Sequence, residues 1–483
     1  MNSTVTIPSV YPVACHTDHV GPGSTFVAIK GMKDDGIEHI QKALSLGANR
    51  IVVEKQVVLS QSIINALEAY NAELLLVENT RKQLALLSAQ ALGYPAQKLR
   101  IIAITGTKGK STTAFLLEHL LKQAGYKTAL LSTVKNRILA QEFATHLTTA
   151  QPDYLHVFFN TCLQAQVEYV VMEVAAQAVS LYRVAGLTFE ALIFTNFSLE
   201  HSEFYQSVDD YFAAKADLLT YIKPGAPVIL NADDQRVAAL AVTEVIKNSP
   251  VITFSLHNRH NIHTVNAFIQ KANLSGIKAL IKTEDQECIV EAPTLVGSFN
   301  MYNILATIAF AQTLKIKNNI IEQAFLTFST IPGRLQRFVL SNGSTAFIDY
   351  AHNPASFEAI LSALRPLSSH IIVVFGAGGD RDVTKRPLMG AIASAIADVV
   401  ILTTDNPRSE DPKLITQDIL QGISSEKQSK ILVELDRQKA IFKAYELSHS
   451  DSMIVLLGKG PDEYQHIQNV KIPFSEAAIL RSL

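Results

Sequence analysis

Along most of the chain, short apolar runs alternate with stretches whose apolar positions recur every three or four residues. The first pattern suits a strand buried on both faces and the second a helix packed by one side. Together they predict an α/β protein built on mostly parallel sheets. The clearest case spans residues 101–124. Ile101, Ile102, Ala103 and Ile104 form an apolar run, and Gly106-Thr107-Lys108-Gly109-Lys110 follows as a tight turn. Phe115, Leu116, Leu117, Leu120 and Leu121 then mark a helix from Ser111 to Ala124 that stops at Gly125. Upstream, 26–29, 50–53 and 73–77 read as strands, and 37–46 and 66–70 as helices. Downstream, 128–132, 169–174, 191–196 and 225–231 read as strands, and 208–219 and 297–314 as helices. The short β patterns of 251–294 read as an excursion at the sheet edge. Past the break at Ile331-Pro332-Gly333, the runs 346–350, 371–375, 399–403 and 453–457 are further strands.

Three domains are predicted. Residues 1–98 form a small α/β domain. Residues 99–333 form a central domain of the P-loop type, with a mostly parallel sheet and helices on both faces. Residues 334–483 form a third, Rossmann-like domain. The length agrees, since 483 residues exceed what one core holds.

Composition narrows the classes. Charged residues are 18% and apolar residues 48% of the chain, ordinary for a globular enzyme, and the net charge of −2 lacks the basic footprint of a nucleic-acid binder. Cys15, Cys162 and Cys288 match no disulfide framework or zinc spacing. No basic segment leads into an apolar run at the N-terminus, and no apolar stretch reaches the ~18 residues of a membrane span. A cytoplasmic, monomeric protein without membrane insertion is expected.

Chemistry concentrates at predicted strand ends. A strand, glycine turn and helix hold phosphate, because backbone N–H groups and the positive helix end face the anion. Lys110 adds a point charge and the Ser111 hydroxyl can bind Mg²⁺. The long form G-x-x-x-x-G-K-[ST] would need glycine where Ile104 stands, so this is the shorter G-T-x-G-K-[ST] form. Glu173 ends the 169–174 run, Thr195-Asn196 ends another, and His201 follows closely. Ligands of doubly wound sheets lie at such carboxyl ends. Periodicity alone leaves Lys215 a solvated lysine. In the third domain, four strand ends enter Asp349–Pro354, Gly376–Asp382, Asp405–Arg408 and Gly458–Gly460, which predicts a second binding edge.

With these residues collected, the chain resembles the Mur ligase family, which makes amide bonds with ATP. The resemblance spans about residues 18–475. It rests on GTKGKSTT (106–113), MEV (172–174), TNFSLEH (195–201), YFAAK (211–215), NADD (231–234), GSFNMYN (297–303), DYAHNP (349–354), FGAGGDRD (375–382), DNPRSEDP (405–412) and GKG (458–460). It implies the branch that adds the third residue of the peptidoglycan stem peptide, here meso-diaminopimelate onto UDP-MurNAc-L-Ala-D-Glu, through an acyl phosphate. It implies ATP as co-substrate and Mg²⁺ as cofactor. Gly106, Thr107, Lys108, Gly109, Lys110, Ser111 and Thr112 match the phosphate-binding positions. Asn300, Arg334, Asp349 and His352 match nucleotide-side positions. Lys110, Glu173, His201 and Lys215 match the catalytic set, with Ser111, Glu173, His201 and a carbamylated Lys215 around metal. Thr17, Thr148, Thr149 and Arg183 match the acceptor site. Arg386, Asp405, Asn406, Pro407, Arg408, Gly458 and Asp462 match the amino-acid site.

The chain departs from the family pattern on the acceptor side. His16-Thr17-Asp18 stands for Asp-Ser-Arg, Ala175-Ala176-Gln177 for Ser-Ser-His, Leu147 for a polar residue, and Leu181 for glutamine. Pro461-Asp462 stands for His-Glu at the amino-acid site. A paralogous ligase joining a related amino acid to an altered acceptor is therefore the alternative reading. A GTPase would need an N/T-K-x-D motif, which is absent.

Overall fold

The computed structural model describes residues 5–31, 34–145, 147–198, 204–257, 264–284, 286–468 and 470–483. It falls into two compact units. One holds residues 1–268, 281–288 and 302–324; the other holds 269–280, 289–301 and 325–483.

The first unit carries two sheets. Four parallel strands, β1 (Val13–Ala14), β2 (Thr25–Val27), β3 (Arg50–Glu54) and β4 (Glu73–Val77), lie side by side in sequence order. They pack on a core of Phe26, Ile51, Val53, Ile40 and Leu44. The larger sheet contains β5 (Arg100–Thr105), β6 (Thr128–Leu131), β7 (Asn136–Ile138), β8 (Gln141–Phe143), β9 (Tyr169–Glu173), β10 (Ala191–Phe194), β11 (Val228–Asn231) and β12 (Val251–Ser255). The order is β12-β11-β10-β5-β9-β6-β7-β8, and only β7 and β8 run antiparallel. Residues 251–255 are thus a parallel strand of the main sheet, not the edge excursion that their short β pattern suggested. Pairing with β11 at Val228–Val251 through Asn231–Phe254 holds them there. The strands β13 (Thr264–Asn273), β14 (Gly276–Lys282) and β15 (Glu287–Ala292) follow.

Pleating sends alternate residues of the central strands to one core. Ile101 and Ala103, Val170 and Met172, Leu192 and Phe194, and Val228 and Leu230 meet Phe158, Phe159 and Leu218 there. Phe158 and Phe159 belong to the helix Pro152–Gln164, which no sequence expectation placed. The helix Lys110–Gln123 is buried on nearly all sides, and its carboxylate Glu118 is paired with Arg137 at 2.7 Å and Lys122 at 2.6 Å. β5 and this helix put the glycine turn at the carboxyl end of a central strand.

The second unit is built on β16 (Gln336–Val339), β17 (Thr345–Asp349), β18 (His370–Phe375), β19 (Val399–Leu402), β20 (Ile431–Val433) and β21 (Ser452–Leu457), in the order β16-β17-β21-β18-β19-β20. Only β16 is antiparallel to its neighbour. Both faces are covered. Phe347, Val373, Phe375 and Val455 face Leu361, Met389 and Ile419, while Ile348, Val374, Ile454 and Leu456 face Ile441 and Leu480. A hairpin of β22 (Tyr464–Ile467) and β23 (Val470–Pro473) lies beyond β21. The last helix, Glu476–Arg481, is tied down by Glu476. Its carboxylate accepts from Arg437 Nε at 2.8 Å, and Arg437 donates onward to the carbonyls of Thr404 and Leu457. Both side chains are buried. Glu476→Ala strands the Arg437 charge, so a loss of about 3–5 kcal/mol is expected in urea unfolding of the full chain.

Among the described residues, no helix is long and apolar enough to cross a membrane.

Candidate active site

In the first unit the glycine turn is held by lysines from two directions. Lys110 Nζ donates to the carbonyls of Gly106 and Thr107, both at 2.9 Å. Lys215 Nζ donates to the same Gly106 carbonyl at 2.8 Å and stands 4.7 Å above the Tyr211 ring. Lys215 is only 1% exposed. The helix Val208–Ala216, capped by Ser207, delivers it into the interior. Periodicity had left it a solvated lysine; packing of its helix against the sheet decides otherwise. Lys108 is bracketed by Asn196, whose Oδ1 accepts the Lys108 amide and whose Nδ2 donates to the Lys108 carbonyl, each at 2.9 Å. Thr195 Oγ1 donates to that carbonyl at 2.6 Å.

These braces leave no room at Gly106. Its φ is +138°, and an added Cβ would lie 2.0 Å from Thr195 Oγ1. Gly106→Ala should therefore displace the turn. Strain of about 1–3 kcal/mol predicts a roughly tenfold or greater loss of ADP affinity by calorimetry, with the unfolding midpoint little changed.

Glu173 sits at the carboxyl end of β9, beside the turn, with no exposed surface. Its donors among the described residues are neutral. Ser111 Oγ donates to Oε2 at 3.1 Å, Thr133 N to Oε1 at 3.0 Å and Thr133 Oγ1 to Oε2 at 3.1 Å. Thr133, absent from the sequence-based set, follows β6 and is a strand-end hydroxyl that spacing to Glu173 could not reveal. The acceptor candidates gather on the same point. Thr148 Oγ1 lies 3.0 Å from Thr133 Oγ1, Thr149 Oγ1 bridges the Glu173 carbonyl and the Ala175 amide, and Arg183 Nη1 donates to Thr149 O at 2.9 Å. Burial lowers the Arg183 pKa, and the Arg81 charge adds to this. Ala175 starts the helix Ala176–Ser180 without a side-chain cap, which a serine there would supply. Thr17 stands apart, buried in the turn Thr17–His19 beyond β1. Thr112 follows Ser111 in the first turn of its helix. His201 lies outside the described residues.

In the second unit, Asp349 ends β17. Its carboxylate accepts the amides of Leu335 and Ala351, each at 2.8 Å. Burial raises its pKa, while Arg334 and the two amides oppose the rise. The Arg334 guanidinium lies 5.3 Å over the Tyr350 ring, and His352 Nδ1 is 2.7 Å from the Tyr350 carbonyl. Asn300, at the start of the helix Asn300–Thr313, donates from Nδ2 to Val296 O at 2.8 Å.

The edge formed by β18, β19 and β21 gathers the amino-acid candidates. Asp405, Asn406 and Pro407 leave β19, and Gly458 leaves β21 with φ +106°. A Cβ on Gly458 would lie 2.3 Å from Asp405 Oδ2. Asn406 Nδ2 donates to Asp462 Oδ2 at 3.1 Å. Burial raises the Asp462 pKa, opposed by Lys459 and reinforced by Asp405. Arg408 adopts φ +51°, its amide donates to His466 O, and its guanidinium donates to Gly379 O. Arg386 differs from expectation. It is 1% exposed and spends its guanidinium on Asp418, Glu410 and the Gly378 carbonyl, so its fork is occupied by protein groups. Lys459, missed by sequence reasoning, lies buried between the two glycines of its motif.

Two family models match the chain. The Mur ligase middle domain matches residues 104–311, and the Mur ligase, glutamate ligase domain matches residues 333–460. The chain belongs to the Mur ligase family. This Mur ligase is 36% identical over 484 residues to the UDP-N-acetylmuramoyl-L-alanyl-D-glutamate--2,6-diaminopimelate ligase of Aquifex aeolicus, covering 100% of this chain and 95% of the relative. It is 33% identical to the ligase of the same name from Syntrophomonas wolfei, covering 98% and 94%. A solved structure bearing that name superposes with a TM-score of 0.65 at 26% identity, covering 98% of this Mur ligase and 94% of that chain.

Proposed function

We propose that this Mur ligase adds meso-diaminopimelate to UDP-MurNAc-L-Ala-D-Glu with conversion of ATP to ADP and phosphate. The observation that carries the reading is the full-length similarity to relatives bearing that name, at 36% and 33% identity. An acceptor carboxylate oxygen attacks the γ-phosphorus, and the bond to the leaving ADP oxygen breaks. The amine of the incoming amino acid then attacks the acyl carbon. Phosphate leaves with the electron pair of the C–O bond, and the amine gives up a proton.

Charge develops on the transferring phosphoryl group, so preorganised cations and donors dominate catalysis. Lys110 is the phosphoryl-side cation, and the turn amides from Gly106 to Thr112 receive the phosphates. Ser111 and Glu173 present a hydroxyl and a carboxylate, hard oxygen donors that suit Mg²⁺. These two, with His201 and a carbamate on Lys215, would hold the ion, which supplies charge neutralisation at the phosphoryl oxygens. The carbamate forms when the neutral Lys215 amine adds CO₂ and releases one proton. Thr17, Thr148, Thr149 and Arg183 receive the acceptor. Asn300, Arg334, Asp349 and His352 serve the nucleotide. Asp405, Asn406, Pro407, Arg408, Gly458 and Asp462 receive the amino acid, with Arg386 holding Glu410 and Gly378 in place behind them. Reliance on ATP fits a cytoplasmic enzyme.

A phosphate-release screen tests the reading, crossing UDP-MurNAc-L-Ala-D-Glu and other acceptors with diaminopimelate, lysine and other amino acids. Release is expected only with ATP, this acceptor and diaminopimelate together. Release with a different acceptor, and none with this one, overturns it.

A further inference from the structure

The side-chain amide of Asn406 is pinned by neighbours of fixed polarity. Its Oδ1 receives Lys459 Nζ at 3.2 Å and the backbone amide of His466 at 2.9 Å. Both groups can only donate. Its Nδ2 donates to the Asp462 carboxylate at 3.1 Å. Interchanging the amide oxygen and nitrogen would set donor against donor on one side, so this orientation is dictated.

Lys459 has no exposed surface. Beyond Asn406, its Nζ donates to the Tyr464 carbonyl and lies 3.9 Å from Asp405 Oδ1. The rings of Tyr464 and Phe474 flank it, each at 5.8 Å. The same hairpin reaches the loop a second time, since Gln465 Nε2 donates to the Asp405 carbonyl at 3.2 Å. Burial lowers the Lys459 pKa, with the Asp405 charge opposing it. This ammonium is consumed by protein groups and is closed off from solvent.

We propose that Lys459 is a positioning residue for amino-acid choice, filling the Asn406 oxygen and so fixing Asn406 as a donor toward ligand. This edge then offers a carboxylate the Arg408 fork and the second Nδ2 hydrogen of Asn406. It offers an ammonium the carboxylate of Asp462, with that of Asp405 nearby. That complement fits the zwitterionic far end of a diamino dicarboxylic acid and leaves donors unmatched by the bare ammonium end of lysine. The proposal rests on the amino-acid site assigned above.

The test compares steady-state kinetics of wild type, Lys459→Met and Asn406→Asp on the full chain, with diaminopimelate and with lysine. Lys459→Met removes one of the two donors that hold the Asn406 oxygen and leaves only the His466 amide on it. Its KM for diaminopimelate should rise roughly tenfold or more, and its preference over lysine should shrink. The KM for ATP should stay within about twofold, since neither group is among those assigned to the nucleotide. Asn406→Asp keeps an acceptor for Lys459 but removes the donor, so it should move the same KM in the same direction, and it carries the test if Lys459→Met fails to fold. A diaminopimelate KM within about twofold of wild type in the folded variants overturns the proposal, as does a change confined to kcat or to the unfolding midpoint. If wild type releases no phosphate with diaminopimelate, the functional reading is what fails. The variants are then scored with the amino acid that wild type does use, by the same criterion.

Discussion

Lys215→Ala should abolish amide formation while leaving a folded protein. The residue is nearly sealed from solvent, yet its ammonium meets the Gly106 carbonyl at 2.8 Å, the same atom that Lys110 holds at 2.9 Å. A second lysine on one backbone carbonyl exceeds what the turn needs, and burying an amine is costly without a chemical use. As the carbamate proposed above, the group would carry negative charge to the phosphate turn and would help hold Mg²⁺. Removing one preorganised electrostatic group costs ~10²–10³ in kcat. ADP formation in the presence of acceptor and diaminopimelate is the measurement. Lys215→Arg should not restore it, because a guanidinium stays protonated and does not take up CO₂. Wild-type turnover in the alanine variant would remove Lys215 from the mechanism.

The second large effect is expected at Arg408. Its backbone is held at φ +51°, a region that ordinary side chains avoid, by pairing of its amide with His466 O and of its carbonyl with the Gln468 amide. The strain aims a guanidinium across the loop to Gly379. Charge-assisted hydrogen bonds contribute about 1.5–3 kcal/mol each, so Arg408→Ala should raise the KM for diaminopimelate roughly ten- to hundredfold. The KM for ATP should stay within about twofold, because Arg408 is not among the groups assigned to the nucleotide. Equal increases in both constants would count against an amino-acid role. Arg408→Lys should recover little, since a point charge does not reproduce the fork.

Arg386 and Arg408 show where reading from sequence stops. Both are arginines next to strand-end loops, and both match amino-acid-site positions. Their difference arises from Glu410 and Asp418, which stand 24 and 32 residues along the chain from Arg386 and close on it in space. The same holds for Lys215, whose flanking alanines suggest a solvated face until its helix meets the sheet. The strand Val251–Ser255 lies inside the sheet rather than at its edge, and sequence does not show this because short β patterns look alike whether they join a parallel sheet or leave it.

The sequence by itself determined the alternating α/β layout, the glycine turn after β5 and the carboxylate closing β9. Each is a local matter: apolar periodicity, a glycine spacing and a strand end lie within a few residues. Tertiary structure alone decided that two lysines converge on Gly106, that Ser111 and Thr133 both serve Glu173, and that Lys459 orients Asn406. The last pair is 53 residues apart in the chain and 3.2 Å apart in space. Burial and hydrogen-bond polarity depend on which strands lie side by side, and the 6-stranded sheet, in which β21 inserts between β17 and β18, brings the Lys459 loop to that edge.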